Sequence, residues 1–78
     1  MTKIENNECL NDFGNYIRKA REEQGLYQKD VAERVGIQQN YYSEIENGLR
    51  KGLTFPLALR ICKELNISVN DFMIRYVK

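Results

Sequence analysis

At 78 residues, 42% hydrophobic and 29% charged, the chain has the make-up of one small globular domain, with a single thin core that a second subunit would help to stabilise. Its net charge of +1 is weak evidence for a nucleic-acid partner, and its lack of histidine removes the commonest catalytic base and metal ligand. No apolar run approaches the roughly 18 residues of a membrane span, and the opening MTKIENNECLND lacks a signal peptide's apolar stretch, so a cytoplasmic protein with no membrane partner is expected.

Residues 1–10 are rich in Asn and Glu without periodicity and read as a flexible arm, the domain proper being residues 11–78. Asn11 is an N-cap for a first helix. Asp12 suits its dipole, Phe13, Ile17 and Ala20 recur at turn spacing, and Gly25 supplies the stop. Leu26 ties down the loop, and a second helix runs from Gln28 to Val35 behind Tyr27, a poor cap. Val31, Ala32 and Val35 give that helix its apolar stripe. Gly36 then makes a corner, small Ala32 lets two helices approach, and Ile37 returns to the core. A third helix, Gln38 to Asn47, buries Tyr42 and Ile45 and stops at Gly48. Two helices meeting at a glycine corner read as a helix-turn-helix.

After the loop LRKGL, Thr54 caps a fourth helix that carries Pro56 in its first turn and runs to about Leu65. Its broad stripe of Phe55, Ala58, Leu59, Ile61, Cys62 and Leu65 predicts a well-buried helix. Ser68 with Asp71 opens a fifth helix, Val69 to about Val77. With no strand pattern anywhere, the expected class is all-α. Cys9 and Cys62 have neither paired spacing nor histidine partners, so both are expected as free thiols, Cys62 buried.

Enzymatic readings fare badly. There is no P-loop, dinucleotide fingerprint or metal-ligand cluster, and Glu22–Glu23 or Glu44–Glu46 point in different directions on their helices. No catalysis, cofactor, metal or small-molecule substrate is expected. Charge distribution says more than the total. Lys3 stands against Glu5, Glu8 and Asp12 in the first twelve residues, so of 12 basic and 11 acidic groups the remainder carries 11 and 8, or +3. That excess gathers at Arg18, Lys19 and Arg21 and again at Arg50 and Lys51, either against phosphate or as solvated faces.

With the helix order set, the segments FGNYIRKAREEQGLYQKDVAERVGI, YYSEIENG and ICKELNISVNDFM carry a resemblance. From about Phe13 to Met73 the chain resembles the helix-turn-helix domain of the lambdoid phage repressor and Cro proteins, the Xre-like regulators. It departs from the pattern at Tyr27, at Tyr42 and in a loop about one residue longer after Gly48. The resemblance implies a compact five-helix repressor-like DNA-binding domain that controls transcription, its third helix entering the major groove. Base contacts then fall to Gln38, Gln39 and Asn40, whose amides offer the donor and acceptor that pair with adenine N6 and N7. Ser43 and Glu44 are further candidates, Glu44 either accepting from cytosine N4 or repelling phosphate. Tyr42 packs inward by its spacing from Ile45, which leaves Tyr41 for a sugar, a phosphate or a thymine methyl. Gln28, at a helix N-terminus suited to phosphate, is an implied phosphate contact together with Asn47, Arg50 and Lys51, and Lys29 is another candidate. For Arg21 and Glu46 the resemblance implies a structural ion pair.

The fifth helix carries more apolar residues than one small core absorbs. If Phe72 and its neighbours turn inward, others face out, and Phe72, Met73, Ile74, Tyr76 and Val77 become the candidate dimer interface. The expected protein is a sequence-specific double-stranded DNA-binding regulator, acting as a homodimer on a two-fold-related operator. The alternative is a protein-interaction module or antitoxin of the same fold, whose apolar surface holds a protein partner.

Overall fold

The computed structural model describes residues 6–50 and 52–77, with side chains from Cys9 onward. The first half of the expected arm and the phosphate contact expected of Lys51 lie outside the described residues. Five helices follow one another, α1 (Asn6–Glu23), α2 (Gln28–Val35), α3 (Gln39–Glu46), α4 (Phe55–Glu64) and α5 (Val69–Tyr76), with no strand among the described residues.

Helix α1 begins at Asn6, five residues before the expected cap at Asn11, and takes over half of the expected arm. Apolar periodicity reports burial rather than helicity, and once a helix is nucleated each added polar residue gains one backbone hydrogen bond. The buried side chains Phe13, Ile17 and Ala20 form one face of α1. Between them Gly14 touches α3 directly, since an added Cβ would stand 2.6 Å from the Ile45 carbonyl oxygen and closer still to that of Glu46. No side chain fits at this crossing.

The corner between α2 and α3 closes through the backbone. Gly36 adopts φ +89°, and its N–H and that of Ile37 both donate to the Ala32 carbonyl, at 2.8 and 3.0 Å. Such a left-handed φ costs glycine little and other residues more. Val31, Ala32 and Val35 of α2 then join Tyr42 and Ile45 of α3 in the core. Tyr27 caps nothing with its side chain; its N–H instead donates to the Asp30 carboxylate at 2.8 Å.

Thr54 Oγ1 accepts from the Leu57 N–H at 3.3 Å and starts α4, with Pro56 in its first turn. Contrary to expectation this helix is only half buried. Ile61 and Cys62, with Leu65 just after, enter the core, while Phe55 is 66% and Leu59 41% exposed. The apolar stripe is wider than the one side that meets α2, so its flanks remain in water. Burial pushes the Cys62 thiol up to about 11, which leaves it unreactive.

Ser68 Oγ accepts from the Asp71 N–H at 3.2 Å and opens α5. Phe72 is buried, edge-on to Phe13 at 5.4 Å and stacked on Tyr76 at 5.2 Å. Its place among the dimer-interface candidates is therefore corrected: its ring is consumed by the core of its own chain. Met73, Ile74 and Val77 stay exposed, and Tyr76 is partly covered by Tyr16 and Phe72.

Candidate nucleic-acid interface

Glu46, at the end of α3, is 1% exposed and collects donors from two other helices. Arg21 grips it with both ends of its guanidinium fork, Nε to Oε2 at 2.6 Å and Nη2 to Oε1 at 3.1 Å. Gln28 Nε2 donates to Oε1 at 3.0 Å, and Arg18 Nε reaches the same oxygen at 3.5 Å. Arg18 also donates through Nη2 to the Glu46 carbonyl at 3.1 Å and to Asn47 Oδ1 at 2.7 Å, so it caps the C-terminal end of α3. Burial alone would raise the Glu46 carboxyl, but hydrogen bonds from Arg21 and Gln28 and the Arg21 charge hold it below its ordinary value. The same hydrogen bond raises the Arg21 guanidinium. α1 and the start of α2 are thereby fixed to the end of α3.

That hub changes the account of the basic cluster. Arg18 and Arg21 spend their charge inside the protein, and only Lys19 of the three is left exposed. Gln28 likewise turns its amide inward to Glu46 instead of standing free at the start of α2. Sequence reasoning missed Arg18 as a partner, although it lies three residues before Arg21 and so on the same face of α1.

Outward from the hub, the start of α3 stands in water. Gln38 is its N-cap residue in extended conformation, and Gln38, Gln39 and Asn40 are all exposed. Asn40 Oδ1 accepts from the Tyr41 N–H at 3.0 Å, and its amide nitrogen is not engaged by that bond. Gln39, Asn40, Ser43, Glu44 and Asn47 line one open depression together with Gln28 and Leu49. Four of the five expected base-reading residues and two of the expected phosphate contacts thus share a surface. Gln38 lies outside that lining, and so does Lys29, exposed on α2.

Tyr42 is fully buried, its phenol pushed up by burial and by the neighbouring Glu46 carboxylate. Tyr41 remains at the surface, half covered, and carries the Arg50 guanidinium 3.9 Å above its ring. Arg50 Nη1 also stands 3.7 Å from Glu44 Oε2. In the free protein Glu44 therefore neither awaits a base alone nor presents a bare charge to phosphate. It neutralises the cation beside it.

A family model described as helix-turn-helix matches residues 17–72, from the middle of α1 to the core aromatic of α5. Uncharacterized HTH-type transcriptional regulators of two Mycobacterium tuberculosis strains are each 36% identical over 62 residues, 80% of this chain and 44% of their own length. The chain thus spans less than half of the curated relatives it matches. Its fold is similar to the restriction-modification controller protein C.AhdI from Aeromonas hydrophila, with a TM-score of 0.74 and 27% identity over 81% of this chain and 94% of that one. It is also similar to the clp gene regulator ClgR from C. glutamicum, at TM-score 0.76 and 27% identity over 94% and 88% of the two chains. A mutant of the restriction-modification controller protein C.Esp1396I gives TM-score 0.75 and 29% identity over 88% and 86%. The matched model spans the corner, the hub and the exposed start of α3, and the chain belongs to the helix-turn-helix family of DNA-binding transcriptional regulators, of the Xre and Cro kind.

Proposed function

We propose that this chain binds a specific double-stranded DNA operator as a homodimer, with α3 in the major groove and gene expression controlled by occupancy of the site. The observation that carries this reading is the single surface on which Gln39, Asn40, Ser43 and Glu44 meet, projecting from a helix whose far end is locked by Glu46. An exposed amide mounted on an already ordered helix can form the bidentate pair with adenine at the cost of side-chain freedom alone, the backbone being fixed beforehand. Phosphate positioning falls to Lys29, Asn47, Arg50 and Lys51, with Tyr41 holding Arg50 at the rim of the surface. Gln28 positions α3 through Glu46 and offers at most its remaining amide hydrogen to phosphate.

The likeness to controllers and to a gene regulator agrees with this reading. Selection of duplexes from random DNA, followed by a salt titration on the enriched sequence, tests it. A two-fold-related sequence and a steeply negative slope of log affinity against log salt are expected. Retention of no sequence above background would overturn the proposal. A stable complex with a protein partner under the same conditions would favour the interaction-module alternative.

A further inference from the structure

Among the described residues lining the α3 depression, Leu49 is the one apolar side chain set beside amides, a hydroxyl and a carboxylate. It is 68% exposed, yet its backbone is fastened. Gly48 takes a left-handed φ of +71°, its N–H donates to the Ile45 carbonyl at 3.1 Å, and the Leu49 N–H reaches back to the Glu44 carbonyl at 2.9 Å. These are the paired bonds of a Schellman stop, in which the residue at the position of Leu49 commonly packs on an apolar neighbour in the last helical turn. Here the positions it would cover are Glu44, whose carboxylate is turned to Arg50, and Ser43. The backbone of Leu49 is thus fixed, the two helix positions that its side chain would cover are polar, and the side chain stays largely in water.

Apolar surface fixed in water becomes favourable only when a partner covers it. On the edges of DNA bases in the major groove, the thymine C5-methyl is the apolar group on offer, and it lies across the base pair from the adenine edge that amide side chains match. We propose that Leu49 is a specificity-determining residue that packs on a thymine methyl at the end of the α3 footprint, an inference that rests on the reading of α3 as a major-groove helix. The Schellman stop fixes where that contact falls relative to Asn40 and Ser43, so Leu49 reads one position rather than thymine in general.

The test uses the full chain and a duplex selected from random DNA, with each thymine replaced in turn by deoxyuridine, which removes only the methyl group. At one symmetry-related position affinity should fall about fourfold per half-site, the worth of covering one methyl-sized group. Leu49→Ala should bind the parent duplex more weakly by at least that factor and no longer distinguish thymine from uracil there, with its thermal midpoint unchanged. Gln39→Ala should keep that distinction. If the parent protein tolerates uracil equally at every position, or Leu49→Ala still discriminates, the thymine contact is overturned while operator binding stands. If no duplex is bound with salt-dependent affinity, the major-groove reading fails and the thymine contact falls with it.

Discussion

In the proposed complex, Arg50 is the residue for whose charge a protein carboxylate and a DNA phosphate compete. Its guanidinium lies over Tyr41 and faces Glu44, with both side chains of the ion pair 40% exposed, so the pair itself contributes about 1 kcal/mol or less. A phosphate can therefore displace Glu44 at little cost while the ring keeps the guanidinium aimed. Glu44→Gln should tighten binding to all duplexes, because it removes a carboxylate from the surface and frees its cation. Arg50→Ala should weaken all sequences alike and flatten the salt dependence by roughly one unit of slope. Measured slopes that stay equal in the two variants would remove Arg50 from the phosphate contacts. Gln39→Ala and Asn40→Ala should behave differently, each losing about 1–3 kcal/mol of specific binding with nonspecific affinity nearly unchanged. Competition between the selected operator and random duplex separates these two kinds of residue.

At the scale of elements, two features of the α1–α3 crossing set how firmly the exposed surface of α3 is held: Gly14 and the Glu46 hub. Gly14→Ala gains up to about 1 kcal/mol of helix propensity. Against this stands a clash with two backbone carbonyls of α3, which cannot rotate away as a side chain would, and overpacking of this kind costs about 1–3 kcal/mol. The clash should win, and urea unfolding should show Gly14→Ala less stable than the parent. Glu46→Ala strands Arg21 beside an empty site and should cost about 3–5 kcal/mol, with coupling to Arg21→Ala in a double-mutant cycle as the check. Because the folded carboxyl titrates below its ordinary value of 4.5, the hub's contribution is fully present above that value and is lost as pH falls through the lower folded pKa. The thermal midpoint should accordingly drop on acidification, and less so in Glu46→Gln. The residues explain what was legible here. Phe13, Ile17, Tyr42 and Ile45 repeat at helical spacing, and Gly36 and Gly48 mark stops, so helix order and corner could be read directly. The depth of burial along α4, the extension of α1 to Asn6 and the fit of Gly14 against α3 depend on which surfaces meet, and periodicity within one helix carries no such information. Roles implied by family likeness reached Glu46 but not Arg18 or Leu49, whose places follow from this chain's own packing.

At the scale of the whole molecule, the proposed homodimer requires one small domain to present two α3 helices to half-sites about 34 Å apart, one turn of DNA. A two-fold contact would have to be self-complementary, and α5 offers the material. Phe72 is withdrawn into the core, but Ile74 is 73% and Met73 52% exposed, and Val77, the C-cap residue that follows the helix, is exposed as well. Apolar side chains left in water along one helix favour pairing with the same surface of a second copy. Tyr76 is a poor probe of that pairing, because its ring packs on Phe72 and Tyr16 within the chain and a charge there would disturb the core. Ile74→Asp is the clean one, since it adds charge where little is packed. It should yield a folded monomer with an unchanged thermal midpoint at low concentration, and its binding to a two-fold operator should weaken while its affinity for a single half-site persists. Sedimentation gives the association state and half-site duplexes separate dimerisation from base reading. A parent protein that stays monomeric at high micromolar concentration, and remains so on the full operator, would exclude α5 as the two-fold contact.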